Sequence, residues 1–131
     1  MTNPILIIED NGQNLYLFSY IFKKHGYEVA QARDGREGIE LAGRVHPALI
    51  LLDIQLPVLD GYAVARELRN NPALADVPII AVTSYAMAGD RERILAAGCT
   101  AYIEKPIDPD RFMSQVEPYL TPPPHGEGGR R

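Results

Sequence analysis

Four places along the chain put acidic, hydroxyl or basic side chains directly after short apolar runs: Glu9-Asp10, Asp53, Thr83-Ser84 and Lys105-Pro106. Gathered on one edge of a fold, the carboxylates of Glu9, Asp10 and Asp53 repel one another. Two unit charges a few ångströms apart cost about 1 kcal/mol in water and several-fold more in a partly buried site. Lys105 supplies one positive charge, and a hard divalent cation would supply the rest. Mg²⁺ takes a few carboxylates together with waters and phosphate oxygens, so this residue set suits it. Asp10, with Glu9 beside it, is then the metal holder. Asp53 is the candidate nucleophile toward a phosphorus made electrophilic by Mg²⁺ and Lys105. Thr83 and Lys105 are placed to hydrogen-bond and charge-pair with phosphoryl oxygens, and the Gln55 backbone carbonyl to complete the metal shell. An isolated aspartate after a strand is more often a helix cap or a solvated side chain. Four chemically matched strand ends outweigh that plain reading.

The elements that must position these residues follow from hydropathy. Strands are expected at 5–8, 28–32, 48–53, 78–83 and 101–104, with helices over 13–24, 35–45, 61–69, 90–97 and 109–119. Three of the runs are continuously apolar, as parallel strands covered on both faces are. Strands alternating with helices give βαβ units and an α/β sheet. Ligands bind such sheets beyond the carboxyl ends of the strands, where the candidate residues sit. Asp34 followed by Glu37 fits a capping box, and Asp108-Pro109 fits an N-cap followed by a proline in the first turn. Gly26 and Gly98 stand where helices should stop. One domain is expected over residues 1–120. The stretch 121–131, Thr-Pro-Pro-Pro-His-Gly-Glu-Gly-Gly-Arg-Arg, is read as a disordered tail.

Composition narrows the class of protein. At 131 residues the chain is long enough to bury one real core, and 46% hydrophobic with 23% charged residues marks a globular protein. A net charge of −4 offers no basic stripe for nucleic acid. A single cysteine, Cys99, excludes an internal disulfide and suits a reducing compartment. It reads as a small packing residue, since no histidine lies near it in sequence. The N-terminal apolar run ends in two acids and is too short for a signal peptide. No segment reaches bilayer length. A soluble, cytoplasmic protein is expected.

The motifs Ile8-Glu9-Asp10-Asn11, Leu52-Asp53-Ile54-Gln55-Leu56-Pro57 with Asp60-Gly61, Ala81-Val82-Thr83-Ser84 and Tyr102-Ile103-Glu104-Lys105-Pro106 together resemble the receiver domains of response regulators. The resemblance covers about residues 4 to 120. It implies a flavodoxin-like (CheY-like) doubly wound (βα)5 fold, with a parallel five-stranded sheet in the order 2-1-3-4-5. It assigns the phosphoacceptor to Asp53, metal binding to Glu9, Asp10, Asp53 and the Gln55 carbonyl, and Mg²⁺ as the cofactor. It places the hydroxyl at Thr83, the lysine at Lys105 and a cis peptide at Lys105-Pro106. Thr83 and Tyr102 become the switch pair: the hydroxyl moves toward the phosphoryl group and the aromatic turns inward behind it. The plain reading of Tyr102 is a half-buried strand tyrosine with its hydroxyl in water. Gln55 and Tyr85, each two residues beyond an active residue, would flank the path of the hydrolytic water. Within the family the wording is closest to DivK-like single-domain regulators, in Asn14…Leu17-Phe18, Asp53-Ile54-Gln55-Leu56-Pro57 and Ala86-Met87…Gly89-Asp90…Glu92-Arg93-Ile94.

The resemblance implies a signalling protein whose chemistry is limited to its own phosphorylation and dephosphorylation. Its donor would be a sensor histidine kinase or a histidine phosphotransferase. A downstream protein would bind the helix at 90–97, the last strand and the last helix. Neither nucleic acid nor membrane is an expected partner, and the state is a monomer or a weak dimer formed on phosphorylation. The first helix is apolar around more than one face through Leu15, Tyr16, Leu17, Phe18, Tyr20, Ile21 and Phe22. Either tyrosines lie over its rim or it docks the phosphodonor. Rival readings fit less well. A haloacid-dehalogenase phosphatase needs a second acid where Gln55 stands, and a dinucleotide enzyme needs a glycine-rich turn after the first strand. A flavodoxin would want a hydroxyl-rich phosphate loop there instead of acids. A phosphate-independent interaction module has no use for the full acidic set. A relay intermediate that passes its phosphoryl group onward has the same sequence signature as an output switch.

Overall fold

The computed structural model describes residues 3–120. The strands are β1 (Ile5–Ile8), β2 (Val29–Ala32), β3 (Leu49–Asp53), β4 (Ile79–Thr83) and β5 (Ala101–Glu104), and the helices are α1 (Gly12–Lys24), α2 (Gly35–Val45), α3 (Gly61–Arg69), α4 (Ala88–Ala96) and α5 (Pro109–Val116). The strands form one parallel sheet in the order β2-β1-β3-β4-β5, the expected flavodoxin-like arrangement. Every residue of β1, β3 and β4 is buried, which explains why these three runs lack alternation. β2 and β5 lie at the edges and are only partly covered.

Successive strand residues face opposite sides, so the sheet carries two cores. Ile5, Ile7, Leu49, Leu51, Ile80 and Val82 pack beneath α1 and α5 with Phe18, Phe22 and Phe112. Phe112 stacks on Phe18 at 5.3 Å between centroids and meets Phe22 edge-on at 5.5 Å. Leu6, Ile8, Ile50, Leu52, Ile79 and Ala81 pack against Val64, Leu68 and Ile94 of α3 and α4. Each fully buried side chain of this size contributes about 1.5–3 kcal/mol before the entropy of ordering is subtracted.

Helix ends follow the local chemistry, with some departures from expectation. Asp34 caps α2 by accepting the Glu37 amide at 2.8 Å. The return bond from Glu37 goes to the Arg33 amide, one residue before the position a capping box uses. α1 starts at Gly12 because Asn11 accepts the Asn14 amide at 2.9 Å. α4 begins at Ala88, earlier than expected, with no side-chain cap on Met87. The last helix was expected to reach 119 but ends at Val116, followed by a 3₁₀ turn at Glu117–Tyr119. Pro118 has no amide hydrogen to continue the α pattern. A further 3₁₀ turn at Pro72–Leu74 was not anticipated. Gly26 and Gly98 do end helices, with φ of 91° and 107°. The Lys105-Pro106 bond is cis. No described helix is long and apolar enough to cross a membrane. The tail expected at 121–131 lies outside the described residues.

Candidate functional site

Sheet register brings the candidate residues together. Ile8 pairs with Leu52, so Glu9 emerges beside Asp53. Asp53 pairs with Val82, which puts Thr83 one step beyond it. Thr83 pairs with Glu104, and the Lys105 amide donates to the Thr83 carbonyl at 2.8 Å. Gly61 allows the loop after Asp53 to fold back tightly. A Cβ there would stand 2.7 Å from the Asp53 carbonyl, and the Gly61 amide donates to the Ile54 carbonyl at 3.0 Å. Asp60 then caps α3 through the Ala63 amide at 3.0 Å.

Glu9, Asp10 and Asp53 each offer a carboxylate oxygen within 4.8 Å of the others. Glu9 is 1% exposed and Asp53 3%, whereas Asp10 faces solvent. Asp53 Oδ1 accepts the Gln55 amide at 2.9 Å and faces Lys105 Nζ at 3.4 Å. Glu9 Oε2 accepts the Asn11 amide at 3.1 Å, but its Oε1 is buried with no partner among the described residues. Burial, and then the neighbouring Asp53 charge, push the Glu9 carboxyl up to about 7. A buried carboxylate oxygen without a donor is costly, and two more carboxylates stand close to it. A hard cation with oxygen preference fits this donor set.

Thr83 is buried, and its hydroxyl faces its own loop instead of Asp53. It donates to the Tyr85 carbonyl at 3.0 Å and accepts the Tyr85 amide at 2.9 Å. The Ser84 amide donates to Gln55 Oε1 at 3.0 Å, tying the β4–α4 loop to the β3–α3 loop. Tyr102 is half-buried, with the Arg91 guanidinium 5.7 Å from its ring centroid. Of the surplus apolar residues on α1, Leu15, Phe18, Ile21 and Phe22 are buried. Tyr16 and Tyr20 remain 72% and 52% exposed and stack at 6.3 Å. The Cys99 thiol is pushed up to about 11 by burial, as suits a packing residue.

Two basic residues near the site were not anticipated. Arg33 Nη2 donates to the Asp10 carbonyl at 3.1 Å across 23 residues of sequence, and Arg91 covers Tyr102. Only the sheet order, which sets α4 beside β5, carries a hint of the second contact.

A parallel (βα)5 sheet with acids, a hydroxyl and a lysine on its carboxyl edge defines the receiver class of signalling domain. Residues 5–117 match the response regulator receiver domain family, and the chain belongs to it. It is 46% identical over 120 residues to the polar-differentiation response regulator DivK of Brucella ovis, covering 92% of this chain and 98% of that one. The receiver domain of a Pseudomonas aeruginosa sensor histidine kinase, with a magnesium ion in its active-site cleft, is 36% identical with a TM-score of 0.82 over 91% of this chain and 98% of that one. A chemotaxis response regulator of Vibrio cholerae superposes with a TM-score of 0.87 over 92% of this chain and all of that one. At 24% identity that likeness concerns the fold. The protein is a response-regulator receiver of two-component signalling, with DivK among its relatives.

Proposed function

We propose that this receiver takes a phosphoryl group onto Asp53 from a histidine kinase or histidine phosphotransferase, and that the modification switches partner binding. The observation that carries the reading is the cluster of buried Glu9 and Asp53 with exposed Asp10, an unpartnered carboxylate oxygen and Lys105 beside it. Glu9, Asp10, Asp53 and the Gln55 carbonyl would hold Mg²⁺, which when bound offsets charge on the acids and on the phosphoryl oxygens. Two groups facing Oδ1 fix the Asp53 carboxylate and leave Oδ2 to attack phosphorus. A P–O bond to Asp53 forms as the P–N bond of the donor phosphohistidine breaks, and the leaving imidazole keeps its electron pair. Lys105 neutralises one phosphoryl oxygen.

The new acceptor oxygens compete with the Tyr85 carbonyl for the Thr83 hydroxyl. Thr83 swings toward Asp53, and Tyr102 turns inward behind it. Donor proteins dock at the exposed Tyr16–Tyr20 end of α1. Downstream proteins read α4, β5 and α5. The chemistry acts on the protein itself, so it is a switch and not an enzyme for external substrates. The free Cys99 thiol suits work in the reducing cytoplasm.

The test is intact mass after incubation with acetyl phosphate. The reading expects a single phosphoryl adduct that requires Mg²⁺ and is absent from Asp53→Asn. An equal adduct on both proteins would move the nucleophile elsewhere.

A further inference from the structure

The β4–α4 loop is held at every residue from Ser84 to Ala86. The Ser84 amide is on Gln55, and the Tyr85 amide and carbonyl are on the Thr83 hydroxyl. The Ala86 carbonyl accepts Arg91 Nε at 2.9 Å. The same guanidinium lies over Tyr102, within the range of a cation–π contact. Arg91 therefore touches both halves of the switch, the loop that holds the Thr83 hydroxyl and the ring that must follow it. Its own helix is otherwise weakly anchored. Ile94 is the one buried residue of α4, and Met87 provides no side-chain cap. The other side of the helix rests on Arg93, whose guanidinium lies 4.2 Å from the Tyr62 ring centroid on α3.

We propose that Arg91 is a latch for the unphosphorylated state. The inference rests on the reading of Asp53 as phosphoacceptor. While Arg91 holds the Ala86 carbonyl, the loop keeps the Tyr85 carbonyl in reach of the Thr83 hydroxyl. While it covers the Tyr102 ring, inward rotation of that ring loses a contact. Both contacts are lost on switching, so Arg91 lowers the population of the switched state without touching the phosphoryl site. It is a positioning residue acting through Thr83 and Tyr102.

Beryllofluoride, a phosphoryl mimic, tests this at fixed Mg²⁺, with bound fluorine observed by NMR. Removing the latch in Arg91→Ala should tighten beryllofluoride binding at least about fivefold, the scale of one exposed cation–π contact plus an exposed hydrogen bond from a charged donor. Arg91→Lys should fall between that variant and wild type. Tyr62→Leu loosens α4 from α3 but touches neither switch residue, and its dissociation constant should match wild type. Circular dichroism confirms that each variant is folded, which the exposure of Arg91 favours. Unchanged or weaker binding by Arg91→Ala, or equal tightening by Tyr62→Leu, overturns the latch. Wild type that binds no beryllofluoride overturns the phosphoacceptor reading, and the latch with it.

Discussion

The two ends of the sheet are built on opposite terms. At the amino end Arg69 reaches across from the end of α3. It donates to the Gly98 carbonyl at 2.7 Å, the Leu74 carbonyl at 2.9 Å and Thr100 Oγ1 at 3.2 Å. Thr100 Oγ1 in turn accepts the Ile79 amide at 3.1 Å. Gly98 has no side chain because Arg69 fills the space where a Cβ would lie, and its φ is positive. Here one cation satisfies carbonyls from two separate segments. At the carboxyl end three carboxylates crowd together, one buried oxygen has no partner among the described residues, and the Thr83 hydroxyl is spent on its own loop. One end holds the fold, which lets the other carry crowded like charge.

The contrast can be broken at the amino end first. Arg69→Ala strands carbonyls that a charged donor now satisfies, and should cost about 2–4 kcal/mol. Urea unfolding should give a lower midpoint with an unchanged slope. The Mg²⁺-dependent adduct on Asp53 should survive in the cold. Loss of the adduct in a folded variant would mean that the ends are not independent.

Glu9 sharpens the other side of the comparison. Its folded carboxyl, pushed up to about 7 from an ordinary 4.5, binds a proton more tightly than the unfolded chain does. Its contribution is thus most favourable at low pH and declines as pH rises from about 4.5 to about 7. Without Mg²⁺, Glu9→Gln should exceed wild type by roughly 2 kcal/mol at pH 8 and lose that advantage near pH 4. Urea midpoints at the two pH values measure this, and saturating Mg²⁺ should shrink the gap at pH 8. A gap that Mg²⁺ leaves untouched would count against a cation at Glu9.

Smaller effects separate chemistry from readout. Tyr102→Ala should leave the rate of adduct formation from acetyl phosphate within about twofold, since the ring lies under Arg91 and is not one of the groups gathered at Asp53. The same variant should weaken binding of the downstream protein. Tyr16→Glu should change stability by less than about 0.5 kcal/mol, as an exposed position does. Phosphotransfer from a histidine phosphotransferase should slow roughly fivefold, with the acetyl phosphate rate unchanged. Equal slowing with both donors would place the defect in the pocket.

Much of this was legible in the sequence for one physical reason. In a parallel sheet the strands run in register, so knowing where each apolar run ends fixes which residues share an edge. Glu9, Asp53, Thr83 and Lys105 follow from that alone, and so does the sheet's burial pattern. Orientation was not legible. The Thr83 hydroxyl turns to the Tyr85 carbonyl and amide, a local side-chain choice that the pattern of apolar runs does not encode. Arg33, Arg69 and Arg91 reach carbonyls or rings that only the folded chain brings near. The start of α4 at Ala88 is not legible, because a helix with one buried residue leaves almost no periodic signal.

The most direct test of the division between the ends is amide hydrogen exchange with and without beryllofluoride, in Mg²⁺. Changes in protection should be confined to the carboxyl edge, the loop from Ser84 to Met87, α4 and β5 around Tyr102. The amides of Ile79 and Thr100, at the amino end held by Arg69, should exchange at the same rate in both states. A change spread evenly across the sheet, or one centred on the amino end, would contradict it.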